Sequence, residues 1–574
     1  MDKRERPTRL SIVGRSKFQF SHHVLPTLQD IPRLSVLIKR IEAGPELVFS
    51  SSVQSVDDIK DLIRHIESMG IPKEDIRTRY PSASPDRQLK LQLSMGLEQS
   101  RLSFGGDVAE HDPDLVRYFI ATKSFAAIKN GQRHLVVGPK GSGKSAILKE
   151  IAKDLDECLV ITPEHYATDV LESLAKSSSN EELNAYVTTW KYTLLVEIFR
   201  RLVQTNPGAP GVSDLRGYLV SHGHTGADLS LFERFSAYLR RITKLRGKIG
   251  PTEAEIGLEG ELESLFRMDE LLVLVPSLRR ALRRKPFTVF VDELDQSWNN
   301  SETANNFLVA LLTAAIQLRG IDSQLHVIVF LRSEIFDLLK PTIAQLDKIR
   351  SDIEDIRWSS RELSNLIVTR AFYSLEIDPE DISAEAALDV LFPAGSSLST
   401  RSFDYILSRT SYRPREVIQF CNLALSLAVR REMSSIDGET VLRAEEEFSV
   451  WKMEYIVAEN MFIFPALDFL LEKFRGASRT LPFNAMDGIL SDIILAFDRE
   501  KSAPAWLKGD IEPTWLLDKL YQLEVIGVEK PNEVMRGESP WDAYDFVFSR
   551  PKARAEQSSS FMFHPGLWRA LELN

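Results

Sequence analysis

One short stretch of the chain has the glycine, lysine and serine spacing that binds nucleotide phosphates, GxxxxGK[ST]. Its residues are Gly138, Pro139, Lys140, Gly141, Ser142, Gly143, Lys144 and Ser145. Glycines let backbone N–H groups converge on the phosphates, while Lys144 is expected to reach the β- and γ-phosphates and Ser145 to hold Mg²⁺. A chance glycine-rich turn is the alternative, but an apolar strand precedes the stretch and an amphipathic helix follows it. The stretch therefore predicts a site for ATP and Mg²⁺.

A second set of candidate residues stands where another apolar segment ends. The segment 287–291 (FTVFV) is followed by Asp292 and Glu293, as in a Walker B strand. Asp292 is expected to hold Mg²⁺ through water, and Glu293 to polarise the attacking water. Acids after a strand can also cap a helix, but a nearby P-loop favours the catalytic interpretation. For Asp295 two roles stay open, a cap or surface salt bridge and a part in the site.

Three arginines are candidates for contacting the γ-phosphate. Arg332 follows the next apolar segment, where P-loop ATPases with an additional strand place a sensor of this phosphate. The alternative is that Arg332 pairs with a nearby acid, Glu334 or Asp337. Arg413 and Arg415 stand at the start of a later helix and can reach the nucleotide as lid arginines. Their alternative role is that of solvated arginines on a helix that begins with proline.

The elements that must position these residues alternate between strand and helix. Apolar, β-rich segments occur at 135–137, 159–161, 288–291 and 326–331. Continuous segments of this kind are typical of a parallel sheet that is buried on both faces. The prediction is an α/β P-loop core over about 104–376, with a large helical insertion at about 172–285. Within the insertion, helical periodicity covers 181–204, 228–246 and 261–284.

The regions on either side of this core are predicted to form smaller domains. Residues 1–90 are interpreted as a small α/β module, with strands at 46–50 and 75–80 and a helix at 56–69. A helical lid is expected over 377–450, and a helical or winged-helix region over 451–574. The winged helix is predicted from a helix at 514–523, strands at 525–529 and 544–549, an apolar stretch at 561–564 and a terminal helix.

The distribution of charge makes nucleic acid a possible partner but does not favour it. The net charge is −11, and Lys519 is the only basic residue of the expected recognition helix. Lys552 and Arg554 could touch a phosphate, although two charges are common on any surface. Protein packing is therefore the favoured role of the winged-helix region.

Composition excludes several other classes of protein. The 574 residues are 43% hydrophobic and 27% charged, as in ordinary globular proteins. The longest apolar runs fall well short of the roughly 18 residues that a membrane span needs, and the N-terminus lacks the apolar region of a secretory signal. Cys158 and Cys421 have neither zinc-site nor disulfide-framework spacing. The chain is expected to be cytoplasmic, with no membrane partner and no metal other than Mg²⁺.

The order of these motifs over about 104–450 resembles the STAND and Orc-like branch of the AAA+ ATPases, in particular stand-alone bacterial P-loop ATPases. The motifs are GPKGSGKS, FVDELD, VIVFLRSEIF, DKIRSDIEDIRW and YRPREVIQFCNLAL. The resemblance implies a slow, nucleotide-controlled switch in which ATP closes the lid and promotes assembly or releases an effector. Such ATPases are often associated with anti-phage defence or DNA transactions. It also implies a trans-acting arginine, for which Arg350 and Arg357 are candidates, with surface arginines as the alternative.

Three functions are therefore compared. The first is an ATP-driven switch that associates with itself or with a protein partner. The second is a DNA-acting ATPase of the loader or repair type that uses the winged helix. The third is a small-molecule kinase, which is disfavoured because the position of Glu293 suits activation of water and because the helical insertion is long.

Overall fold

The computed structural model describes most of the chain from residue 101 onward and, before it, the backbone of four strands. The described ranges are 8–13, 34–41, 44–51, 76–79, 101–155, 158–162, 179–224, 268–283, 285–295, 298–343, 350–377, 383–394, 397–398, 400–499, 511–530, 543–548 and 554–574, with residues 64, 89, 90, 93, 97 and 506. The helices predicted at 56–69 (apart from Arg64) and at 228–246 lie outside the described residues, and so does Lys552.

The chain divides into two compact bodies. One, called here the helical body, comprises residues 1–120, 358–456 and 468–574. The other, called here the P-loop body, comprises residues 121–357 and 457–467. The predicted nucleotide site thus lies on a body that takes a short segment from much later in the chain.

The N-terminal strands form an antiparallel sheet. They are β1 (Thr8–Val13), β2 (Leu34–Ile41), β3 (Gly44–Ser51) and β4 (Ile76–Arg79), in the order β2-β3-β1-β4. The strands expected at 46–50 and 75–80 correspond to β3 and β4, whereas β1 and β2 were not predicted. Strands β2 and β3 pair from Leu34↔Ser51 to Ile41↔Gly44, which is the register of a hairpin. Whether residues 1–90 act as a separate module stays a prediction.

A five-stranded parallel sheet forms the centre of the P-loop body. Its strands are β5 (Leu135–Gly138), β6 (Cys158–Ile161), β7 (Phe287–Val291), β8 (Leu325–Arg332) and β9 (Ile353–Asp355), in the order β6-β7-β8-β5-β9. The four predicted strands are confirmed, and β9 is an additional edge strand. The sheet is consistent with an α/β P-loop fold. Because all its strands are parallel, the carboxyl ends of β5, β7 and β8 meet at one edge.

The helices of the P-loop body cover this sheet. They are α1 (Lys123–Lys129), α2 (Lys144–Lys153), α3 (Ser179–Thr205), α4 (Val212–Ser221), α5 (Met268–Val273), α6 (Val275–Leu282), α7 (Glu302–Arg319) and α8 (Ser333–Leu339). Helix α3 belongs to the predicted insertion, yet Trp190 on it packs against Phe307 of α7, with the rings tilted by 57° and their centroids 4.9 Å apart. The Trp190 indole also donates a hydrogen bond to the Phe307 carbonyl. Both side chains share one hydrophobic core with Val289 of β7. This part of the insertion therefore helps to build the core.

The helical body continues the chain beyond the sheet. Its helices are α9 (Ser360–Leu375), α10 (Ala384–Leu391), α11 (Ser402–Ser408), α12 (Pro414–Arg430), α13 (Gly438–Asn460), α14 (Leu467–Glu472), α15 (Phe483–Arg499) and α16 (Pro513–Gln522). Residues 457–460 of α13 and Leu467 of α14 belong to the P-loop body. Helical structure over most of 377–450 is as predicted.

A small antiparallel sheet lies near the C-terminus. Its strands are β10 (Thr480–Pro482), β11 (Ile526–Glu529), β12 (Tyr544–Asp545) and β13 (Ser560–Phe563), in the order β10-β13-β11-β12. The predicted terminal helix is reduced to a 3-10 turn at Pro565–Leu567, where Pro565 begins the turn. Among the described helices, none is both long and apolar enough to cross a membrane.

A pair of histidines in the P-loop body makes its stability sensitive to acid. His134 stacks on His326, with ring centroids 5.7 Å apart. Burial, together with the charges of Arg319 and His326, lowers the pKa of His134 to about 4, and Asp352 opposes this shift. An unfolded histidine titrates near 6.5. As the pH falls from about 6.5 towards 4, the unfolded chain therefore takes up this proton before the folded one, and the native state loses stability.

We expect the substitution His134→Asn to reduce this acid sensitivity. Between pH 7 and pH 5 the thermal midpoint of the wild type should fall by a few degrees more than that of the variant, because the variant lacks the buried imidazole. Differential scanning fluorimetry across this pH range measures the difference. Parallel curves for the two proteins would show that His134 carries no such linkage.

Candidate nucleotide-binding site

The GxxxxGK[ST] stretch forms the loop between β5 and α2. Gly141 and Gly143 have φ angles of +77° and +95°, which lie in the left-handed region that favours glycine. At Gly138 a Cβ atom would stand 2.6 Å from the Ser142 hydroxyl oxygen. Gly141 and Gly143 therefore favour glycine for their conformation, and Gly138 favours it because a side chain would crowd Ser142. The loop turns the chain so that α2 begins at Lys144, with its N-terminal N–H groups at the end of the sheet.

The Lys144 side chain lies under this loop. Its ammonium donates hydrogen bonds to the carbonyl oxygens of Gly138 and Pro139, at 2.8 and 2.9 Å. Burial lowers the pKa of Lys144, while the charges of Asp292 and Asp295 oppose this shift. The lysine thus stands as a cation among carboxylates at the edge of the sheet where the phosphates are expected.

Ser145 and Asp292 come together from α2 and β7. The buried Asp292 carboxylate stands close enough to the Ser145 hydroxyl and to the backbone N–H of Glu293 for both groups to affect its pKa. Burial raises the pKa of Asp292, and the Glu293 N–H, the Lys144 charge and the Ser145 hydroxyl act in the opposite direction. A hydroxyl and a carboxylate are oxygen ligands of the type that Mg²⁺ accepts beside phosphate oxygens. The two residues therefore fit the predicted metal site.

Glu293 has an unusual backbone conformation. Its φ angle is +61°, a left-handed conformation that costs energy for a residue with a side chain. Strained residues of this kind cluster at functional sites. The turn sends the chain away from β7 and leaves the Glu293 side chain half-buried, next in sequence to Asp292. Its role as the residue that polarises water stays a prediction.

Arg332 stands at the end of β8, between the strands that carry the P-loop and Asp292. Its guanidinium pairs with Asp295 at 3.5 Å and with Glu334 at 3.3 Å. Pairing with Glu334 was one of the alternatives from the sequence, whereas Asp337 pairs with Lys340. Asp295 thus forms a salt bridge and also lies among the candidate site residues. The sensor role of Arg332 remains a prediction.

The structure adds one residue that no sequence motif indicated. Glu459 lies in the last turn of α13, and its side chain is 3% exposed. One carboxylate oxygen accepts a hydrogen bond from the Lys140 N–H at 3.1 Å and lies 3.4 Å from an Arg332 nitrogen. The same guanidinium donates to the Glu459 carbonyl at 2.9 Å. More than 300 positions separate Lys140 and Glu459, so no local pattern could reveal this contact.

The other predicted arginines do not all lie on the P-loop body. Arg413 and Arg415 belong to the helical body. The Arg413 guanidinium is buried and pairs with Glu524 at 2.9 Å. Arg415 donates to the Asp107 carbonyl oxygen at 3.3 Å. Both arginines thus have partners within their own body, and their nucleotide contacts stay predictions.

The candidates for a trans-acting arginine lie on the P-loop body. Arg350 begins a 3-10 turn just before β9 and is exposed. Arg357 is also exposed and pairs with Asp355 at 2.6 Å. Exposed arginines suit either of the two roles that the sequence left open. The trans-acting role therefore stays a prediction for both.

One comparison with known proteins concerns a family model and falls almost wholly on the helical body. Residues 361–457 match the family model of the FunZ-associated C-terminal helical domain. The match covers most of α9, all of α10 to α12 and most of α13, and it includes Arg413 and Arg415.

Two individual proteins are also similar to the chain. An 80.3 kDa protein of Escherichia coli (strain K12) that is named for transposon gamma-delta is 23% identical in an alignment 510 residues long, which covers 84% of this chain and 68% of that protein. A solved structure, the Walker-type ATPase of Pyrococcus abyssi, aligns with a TM-score of 0.31 and 15% identity over 76% of this chain and 92% of its own.

Proposed function

We propose that the chain binds Mg²⁺–ATP at the P-loop body and hydrolyses it slowly. The observation that carries this proposal is that Ser145, in the first turn of α2, and the buried Asp292, directly after β7, stand close together at the phosphate-binding loop. The Lys144 ammonium interacts with the same carboxylate. A lysine, a hydroxyl and a carboxylate in this arrangement are the parts with which P-loop ATPases hold Mg²⁺ and the β- and γ-phosphates.

In this proposal each group of the site has a separate role in ATP hydrolysis. Backbone N–H groups of the loop and the N-terminus of α2 would bind phosphate oxygens. Ser145 would hold Mg²⁺ directly and Asp292 would hold it through water; the bound cation would neutralise charge on the phosphates. Glu293 would orient the attacking water and accept hydrogen bonds from it. Arg332 would contact the γ-phosphate from the end of β8, where its positive charge would attract the phosphate.

We further propose that the ATPase acts as a switch that controls assembly with itself or with a protein partner. The support is the motif order that resembles the STAND and Orc-like ATPases, together with a helical body whose residues 361–457 match a named helical domain. In this proposal the helices over 377–450 act as a lid, and bacterial defence or stress signalling is the setting. Slow turnover suits a switch because the nucleotide state must last long enough to be transmitted.

A DNA-acting ATPase is the second candidate. This proposal is supported by the order α14, β10, α15, α16, β11, β12, β13, which resembles a winged helix with one additional short strand, and by the Escherichia coli relative, which is named for a transposon. On α16, Trp515 is 40% exposed and Lys519 lies over its ring. Binding to a DNA duplex that weakens steeply between 50 and 200 mM salt would favour this candidate. ATP turnover that DNA does not change would favour the switch.

The proposed nucleotide site predicts a large loss of affinity in Lys144→Ala. Hydrogen bonds to charged groups contribute about 1.5–3 kcal/mol, so removal of the ammonium should weaken binding of Mg²⁺–ATP roughly 10- to 150-fold. Isothermal titration calorimetry with a non-hydrolysable ATP analogue measures the change. Lys153→Ala is the matched control, because Lys153 lies on the same helix and pairs only with Glu150 among the ion pairs described for it.

The result must be separated from damage to the loop itself, since Lys144 also bonds two loop carbonyls. Lys144→Arg keeps the charge and is compared with Lys144→Ala for this reason. If the loop still folds in both variants, the thermal midpoint of each protein should equal that of the wild type. Binding of the analogue by Lys144→Ala with wild-type affinity would overturn the assignment of the site.

A further inference from the structure

The inference concerns Glu459, and it rests on the proposed function of the P-loop body. Its carboxylate is buried and accepts a hydrogen bond from the backbone N–H of Lys140, inside the phosphate-binding stretch. It also pairs with Arg332, the candidate contact for the γ-phosphate. One carboxylate therefore engages two groups of the site at once, and both of these groups are donors.

Both donors are of the kind that binds phosphate oxygens. A P-loop N–H is a neutral donor that favours anions, and a guanidinium is a cation that matches both carboxylate and phosphate. An N–H that donates to Glu459 is not available to a phosphate oxygen in the same direction. A buried carboxylate beside the loop also repels the negative charges of a triphosphate, and burial makes this repulsion stronger than in water. Glu459 and the nucleotide thus compete.

We propose that Glu459 is an internal anionic gate of the nucleotide site. The carboxylate occupies the Lys140 N–H and Arg332, and ATP must displace it to obtain these donors. The apparent affinity for ATP is then reduced by the fraction of molecules in which the gate is closed. The effect is larger for ATP than for ADP, because Arg332 lies where a γ-phosphate contact is expected.

The surrounding contacts fit a gate that can open. The Arg332 guanidinium has two further carboxylate partners, Asp295 and Glu334, so release of Glu459 does not leave this cation unpaired. Asn460 follows directly, and its carbonyl accepts N–H groups from Ile463 and Phe464, which ends α13 in a turn. Glu459 therefore stands on the final turn of a helix, where a change in backbone conformation breaks few helical hydrogen bonds.

The test is the substitution Glu459→Gln, which keeps the size of the side chain and removes its charge. The affinity for AMP-PNP with Mg²⁺, measured by isothermal titration calorimetry, should increase about 10-fold, because the charge-assisted bonds of the carboxylate are replaced by weaker ones. The affinity for ADP should increase less. The KM for ATP should fall while kcat stays within about threefold. Glu454→Gln is the matched control, since Glu454 is an exposed acid on the same helix.

The possible results for Glu459→Gln distinguish a failure of the gate from a failure of the proposed ATPase function. If Glu459→Gln binds AMP-PNP no more tightly than the wild type, the gate is wrong although the ATPase proposal stands. A lower kcat with unchanged KM would instead make Glu459 a positioning residue for Arg332, and this also overturns the gate. If neither protein binds AMP-PNP or ADP, both proposals fail.

A second variant covers the case in which Glu459→Gln does not fold, as shown by its thermal midpoint. Glu459→Asp keeps the charge but shortens the side chain by one methylene, so its carboxylate should no longer reach the Lys140 N–H. The gate predicts tighter binding of AMP-PNP in this variant also, and unchanged or weaker binding would overturn it.

Discussion

Replacement of Glu293 by glutamine is expected to lower ATP turnover about 10²- to 10⁴-fold while nucleotide binding stays within a few fold of the wild type. The amide has the same size and can still accept a hydrogen bond, but it does not polarise water as a carboxylate does. The strained backbone, with φ at +61°, should be kept because the two side chains have the same shape. Loss of turnover with retained binding is the signature of a group that acts mainly in the transition state.

The measurement compares phosphate release under single-turnover conditions with binding of AMP-PNP, and it follows particle mass in parallel. Glu302→Gln is the matched control, because Glu302 is an exposed acid in the first turn of α7, farther along the same connection. A larger assembly of Glu293→Gln in the presence of ATP would support the switch. Turnover at the wild-type rate would instead move the catalytic role to another acid, for which Asp295 is the first candidate.

The sheet and the phosphate-binding loop could be predicted from the sequence because their constraints are local. Buried parallel strands such as β7 and β8 are continuous apolar runs, and such runs are visible without knowledge of their neighbours. The P-loop needs glycine at fixed positions, since Gly141 and Gly143 adopt left-handed conformations. Asp292 was found because it ends an apolar run. Each of these signals lies within ten residues of the group that it identifies.

The missed features depend on contacts between distant segments. Strand β9 is a three-residue edge strand whose sequence, Ile-Glu-Asp, has no apolar run. Glu459 contacts the P-loop from the last turn of α13, and no sequence motif marks this residue. The salt bridge of Arg413 was also missed, because its partner Glu524 lies more than 100 residues away. Charge pairing at such separations leaves no periodic signal in a single sequence.

A network of buried ion pairs connects two helices of the helical body. The stability of this region is therefore expected to depend on one buried charge. Lys452 is fully buried, and its ammonium donates to Glu416 at 2.7 Å and to the Ser411 hydroxyl at 2.9 Å. Glu416 also accepts the backbone N–H of Ser411 at 2.7 Å. Arg413 lies 3.8 Å from the other oxygen of Glu416. The network therefore ties the start of α12 to the middle of α13.

The substitution Lys452→Met should destabilise the helical body by about 3–5 kcal/mol, because it removes the close cation of the buried Glu416 carboxylate and leaves only the longer contact with Arg413. Hydrogen exchange measured by mass spectrometry should show reduced protection in α12, whereas β5 and β7 of the P-loop body should change less. Urea unfolding gives the size of the effect, with Lys473→Met, a change at an exposed lysine, as the control.

A second substitution separates loss of charge balance from loss of packing. In the double variant Lys452→Met with Glu416→Gln, no uncompensated carboxylate remains, and Arg413 keeps Glu524 as its partner. The double variant should therefore recover at least about 1 kcal/mol relative to Lys452→Met alone, since a neutral buried amide costs less than an unpaired charge. If the free energy of unfolding of the double variant instead lies below that of Lys452→Met by the whole effect of the single substitution Glu416→Gln, the two residues act independently. The lysine would then stabilise the helical body through its packed aliphatic chain and not through its charge.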